Sequence, residues 1–157
     1  SGVTSAVAQF ERWGIRVLRN EAVSVGGIFN LIGLNDLTGS RQFGEHQVPI
    51  AELMNKIDPL LPTLLLHHTP WRYQEAQNAG VEVMFSGHTH GGQLWPFGYI
   101  TQKVYSVKYG LTKMGDLQFI LTNGAYTWGP PIRVGAPGEV VVVNMRASSS
   151  STPSGRE

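Results

Sequence analysis

Two short, continuously apolar runs, "PTLLLHH" and "VEVMFS", flank the polar stretch "RYQEAQNAG". An apolar run without alternation is buried on both faces, as strands inside a parallel sheet are. Parallel neighbours need a crossover between them, and a helix is the usual one. The pattern therefore predicts a βαβ unit and an α/β fold. Pro70 breaks the chain after the first strand, and Gly80 ends the helix.

The flanking segments extend this plan. Ser5 is placed to cap an opening helix in which Ala6, Val7, Phe10 and Trp13 recur at helical spacing until Gly14 stops it. Two strands are expected in "EAVSVGG" and "FNLIGLND", and a second helix in "VPIAELMNKID". Beyond Gly87 a glycine- and aromatic-rich loop is expected to about Tyr105, followed by strands in "YGLTKMG", "LQFILTNG" and "GEVVVVNM". Residues 147–157 are polar and of low complexity, so a disordered tail is expected after a folded part spanning 1–146.

Composition narrows the function classes. The chain of 157 residues has the length of one ordinary domain. Its 12 basic and 11 acidic residues give no overall pull toward nucleic acid or an anionic membrane. It has no cysteine, which excludes disulfides and thiolate metal sites. No apolar run approaches the ~18 residues needed to cross a bilayer. The N-terminus has neither the pattern of a signal peptide nor an initiator methionine, as expected of a chain that starts within a longer protein.

The chemistry lies in the histidines. His68 closes the first apolar strand, and "GHTHGGQ" (Gly87–Gln93) closes the second. The carboxyl ends of strands are where open α/β sheets place ligands. If extended, His88 and His90 would point the same way about 6.6 Å apart, so each could serve one of two neighbouring ions. Gly87, Gly91 and Gly92 would let the backbone bend around them. The plainer reading of a glycine-flanked His-x-His is a polar turn. A cupin would place a glutamate soon after, a metallo-β-lactamase would continue Asp-His, and a metalloprotease would show His-Glu-x-x-His. None of these is present.

"LLLHHTP" followed by "VEVMFSGHTHGGQ" resembles the C-terminal half of calcineurin-like metallophosphoesterases. The branch it is most similar to includes membrane-anchored bacterial phosphoesterases and the transmembrane protein with a metallophosphoesterase domain. "GIRVLRNEAV", "IGLNDLTG" and "TNGAYTWGPPIRVGAPGEVVVV" carry the likeness over most of the chain. The resemblance implies half of a four-layer αββα sandwich and two divalent metal ions, whether Mn, Zn, Fe or Ni. His88 would bind one ion and His90 the other, with His68 joining His88. His67 should face away from His68, either supporting a ligand from behind or packing in the core. Gly87 and Arg133 are further candidates to stand behind the ligands or against substrate, although an ordinary ion pair is the plainer role for Arg133. His46 reads as a surface loop residue.

Such enzymes also carry Asp-x-His, Gly-Asp and Gly-Asn-His motifs ahead of the histidine string. None precedes it here; Gly115–Asp116 follows it, between two expected strands, and reads as a hairpin turn. The expected partner is thus the N-terminal half of the same domain, and this chain alone should be inactive. The implied substrate is a phosphodiester, a phosphomonoester or a lipid-linked pyrophosphate. Trp95, Phe97, Tyr99 and Tyr105 could form an apolar wall for its leaving group or touch a membrane, with packing onto the core the plainer alternative. A reading from another class remains: a non-catalytic remnant serving as an interaction module.

Overall fold

The computed structural model describes residues 2–39, 44 and 46–146. Helix α1 (Gly2–Arg12) leads to strands β1 (Glu21–Val25) and β2 (Phe29–Gly33). Helix α2 (Ile50–Met54), strand β3 (Thr63–Leu66), helix α3 (Tyr73–Asn78) and strand β4 (Val83–Ser86) follow. After a 3-10 turn at His90–Gly92 come helix α4 (Phe97–Tyr105) and strands β5 (Gly110–Met114) and β6 (Leu117–Leu121). The strands form one sheet in the order β1-β2-β3-β4-β6-β5. Its four central strands are parallel and its two edge pairs antiparallel.

The apolar runs divide by alternation, as a pleated strand requires. Ile32, Leu65, Met84 and Phe119 face one side, where Ile50 and Leu53 of α2 and Ala76 of α3 complete a buried core. Leu64, Val83 and Ile120 face the other side with Phe29, Leu31 and Phe85. That second face is open: Leu66 is 42% exposed, and Leu31 and Phe85 are only half-buried. The βαβ unit and the Gly115–Asp116 turn stand where the sequence places them.

Four expectations change. Helix α1 begins at Gly2, so Ser5 lies inside it and donates its hydroxyl to the Gly2 carbonyl (3.0 Å) instead of capping the helix. The second helix occupies only Ile50–Met54 of the expected stretch. The aromatic loop contains α4, whose helical spacing Gly98 and Pro96 obscure in the sequence. "GEVVVVNM" forms no strand: it pairs with none of the six strands, and Val140 and Val142 are 82% and 81% exposed. The tail 147–157 lies outside the described residues.

Candidate functional site

Parallel pairing brings the carboxyl ends of β3, β4 and β6 to one edge of the sheet. The ladder continues past the strands: His67 N donates to Phe85 O (3.1 Å), Gly87 N to His68 O (2.9 Å) and Thr122 N to Ser86 O (2.9 Å). His68 is thereby level with Gly87, and His88 is the next residue along. Nδ1 of His88 lies 3.3 Å from Nε2 of His68, with the rings edge-to-face and their centroids 5.1 Å apart. Two nitrogens each ~2.1 Å from a common tetrahedral ion are ~3.4 Å apart. That spacing matches the bite of two ligands of one metal, and it is equally that of a hydrogen bond between the two rings. Burial lowers the pKa of His88, and the neighbouring His68 lowers it further against the opposing pull of Asp36. The neutral imidazole is the form that binds metal.

His90 does not follow the extended geometry expected of His-x-His. His88 and His90 both adopt left-handed backbone (φ 67° and 49°), with Thr89 right-handed between them. This turn carries His90 toward the segment after β6, where its Nδ1 lies 3.3 Å from the Tyr126 carbonyl. Arg133 Nη2 lies 3.2 Å from the same nitrogen; the carbonyl calls for a proton there and the guanidinium for a lone pair, so these contacts select no tautomer. Arg133 encloses the same place. It donates to the carbonyls of His90 (3.3 Å), Ala136 (3.1 Å), Asn123 (3.0 Å) and Tyr126. Arg133 is thus a clamp on carbonyls and not the ion pair the sequence suggested, because no carboxylate reaches it among the described residues.

Glycine is required just after the histidines. A Cβ on Gly92 (φ 80°) would lie 2.2 Å from the Gly98 nitrogen, where α4 crosses the turn. Gly87 differs: a Cβ there would meet Thr122 only at 3.8 Å, so its place beside the histidine pair does not depend on steric room.

His67 turns into the core and is 2% exposed. The hydrogen-bonding groups that act on its ring are backbone groups of Trp71 and Thr69, so it supports no ligand there. Burial lowers its pKa, against the opposing charge of Asp36. His46 stands apart, exposed in a loop whose carbonyl accepts from Asn20 Nδ2 (3.3 Å).

Other residues complete the site. His68, His88 and His90 line a cleft of about 650 Å³ with Asp36, Phe97, Thr101, Tyr105, Gln93 and Trp128. Asp36 follows β2 at the same sheet edge, which is the one signal by which the sequence could have marked it. Burial raises its pKa, but hydrogen bonds from Thr69 and Thr38 prevail and hold it at about 2. Gln93 is buried and ties the turn to the cleft wall: its Nε2 donates to Trp128 O (2.7 Å), and its Oε1 accepts from Trp128 N (2.6 Å). Tyr105 packs between Trp71 and His88 at 5.7 and 5.9 Å. Trp95, Phe97 and Tyr99 remain exposed, so core packing holds for Tyr105 alone of the four aromatics.

The donor set fits part of a metal site. His68 and His88 converge as a pair, yet no three His, Cys, Asp or Glu side chains among the described residues stand close enough to hold one ion. No helix among the described residues is long and apolar enough to cross a membrane.

The chain is similar to an uncharacterized metallophosphoesterase of Helicobacter pylori, with 31% identity over 92% of this chain and 39% of that protein. An uncharacterized metallophosphoesterase of Aquifex aeolicus is 30% identical over 95% of this chain and 58% of its own length. A UDP-2,3-diacylglucosamine pyrophosphatase, LpxG, of Chlamydia muridarum is 30% identical over 52% of this chain and 24% of itself. The chain therefore spans well under two thirds of these relatives. No family model matches it, and no solved structure matches it significantly.

Proposed function

This chain belongs to the calcineurin-like metallophosphoesterase superfamily, and from that premise we propose that it supplies the histidine side of a two-metal phosphoesterase site. The observation that carries the reading is the His68–His88 pair, 3.3 Å apart at the carboxyl ends of adjacent parallel strands. His68 and His88 would hold one divalent ion, and His90 would offer Nε2 to a second. Divalent ions in such a site stabilise charge on a phosphoryl oxygen and furnish a nucleophile at neutral pH.

The chain's own residues set the frame. Tyr126 O and Arg133 Nη2 both reach His90 Nδ1, and Arg133 holds the carbonyls around it. Phe97, Tyr105 and Trp128 give the cleft an apolar wall, which suits a phosphate ester with an apolar or lipid-linked leaving group. The relative named as a UDP-2,3-diacylglucosamine pyrophosphatase supports that substrate class.

The remaining ligands, carboxylates above all, would come from the N-terminal half of the domain, seated on the open sheet face of Leu31, Leu66 and Phe85. Three neutral imidazoles do not offset two divalent cations. This chain alone should therefore turn over no chromogenic phosphodiester with manganese or zinc added. Mixing it with a polypeptide carrying Asp-x-His, Gly-Asp and Gly-Asn-His should give turnover that His88→Ala or His90→Ala removes. Hydrolysis by the isolated chain that survives chelation would overturn the two-metal reading. A mixture that stays inactive, with its metal uptake unchanged, would favour the non-catalytic interaction module.

A further inference from the structure

Helix α4 lines the cleft with one face, packs on the His90–Gly92 turn through Gly98, and leaves another face uncovered. Phe97, Thr101 and Tyr105, spaced by four, line the cleft beside the histidines. Away from that stripe, Tyr99, Ile100 and Val104 are 72%, 55% and 59% exposed, and Trp95 just before the helix is 69% exposed. Large apolar side chains gathered on a surface helix mark a contact site.

Charge identifies the kind of contact. The overall balance of the chain is nearly even, but it is unevenly distributed. No aspartate or glutamate occurs from 83 to 115, a stretch that contains Lys103, Lys108 and Lys113. Lys103 is exposed on α4 itself, with no ion-pair partner among the described residues. Tryptophan and tyrosine have an apolar body and a polar tip, which suits the headgroup level of a bilayer. A helix with an apolar surface and basic charge only is complementary to an anionic lipid surface.

We propose that the exposed surface of α4, with Trp95, Tyr99, Ile100, Val104 and Lys103, seats the protein on an anionic lipid surface. The histidine cleft then opens beside the headgroups, because the same helix forms its wall. The orientation of the cleft rests on the phosphoesterase reading. Lipid binding needs neither metal nor turnover and so fails or succeeds separately.

The test is co-sedimentation of the chain with vesicles of phosphatidylglycerol and phosphatidylcholine, against phosphatidylcholine alone. The chain should bind the mixed vesicles and not the neutral ones. Lys103→Glu, and separately the pair Tyr99→Ser and Ile100→Ser, should each lower partitioning roughly tenfold or more. Circular dichroism checks that these surface variants stay folded, and Lys103→Glu alone decides the matter if the double variant does not. A chain that stays in solution with anionic vesicles would overturn the proposal, as would binding that ignores both substitutions. Self-association that the double variant disperses would overturn it too, by assigning the surface to a second copy of the chain.

Discussion

His88 Nδ1 lies 3.3 Å from His68 Nε2, although the two residues are 20 positions apart in sequence. The contact joins the ends of β3 and β4, so it is set by strand register and not by local geometry.

From that pair follows an expectation about metal. Removing either imidazole leaves a single histidine at that position, so His68→Ala or His88→Ala should weaken zinc binding to the chain by at least about tenfold. His46→Ala should have no effect, since His46 is exposed in a loop away from the cleft. Calorimetric titration reads the difference, and equal affinity in all three variants would sink the assignment.

His67 should make stability depend on pH. Burial lowers its pKa below 6.5 in the folded chain, so below that pH the unfolded chain binds the proton first. Stability should therefore fall as pH drops through about 6.5. His67→Leu should remove that part of the dependence. It should also cost little at neutral pH, within about 1 kcal/mol, because the hydrogen bonds acting on the ring come only from backbone at Trp71 and Thr69 and are not well formed. Urea melts at pH about 7.5 and about 5 test this; a variant that keeps the full slope would contradict it.

Asp36 acts in a lower window. Its pKa is lowered from 3.8 to about 2, so its stabilisation is present above about pH 4 and is lost as pH falls through about 2. Asp36→Asn should cost on the order of 1 kcal/mol at neutral pH, the figure being reduced for solvent screening of a half-buried carboxylate. The gap between parent and variant should close at the acid end. A gap independent of pH would show that Thr69 and Thr38 do not stabilise the ionised form.

Gly92→Ala tests the packing behind the histidines. Its Cβ would meet backbone of α4 at 2.2–2.5 Å, and backbone cannot swing aside as a side chain can. The expected loss is on the order of 3 kcal/mol. Gly129→Ala shares a positive φ (65°) but meets nothing within 4 Å, and should cost about 1 kcal/mol. Thermal denaturation of the two variants should separate them clearly; matching losses would mean that the contact with α4 is not a constraint.

The sequence by itself determined the local elements and their order. Continuous apolar runs fixed β3 and β4 as interior strands, the polar stretch between them fixed α3, and Gly115–Asp116 fixed the β5–β6 turn. Each is a short-range preference, settled by residues a few positions apart. It also placed His68, His88 and His90 at strand ends, because that needs only strand boundaries. Tertiary structure decided everything that depends on a partner distant in sequence. "GEVVVVNM" has strand composition and forms none, because no strand of the sheet pairs with it. Arg133 found carbonyls where an ion pair was the plainer expectation, and His67 turned into the core. Asp36 and Gln93 gained their places from contacts with Thr69 and Trp128, 33 and 35 positions away. Pairing and burial are properties of the assembled sheet, and no window of neighbouring residues contains them.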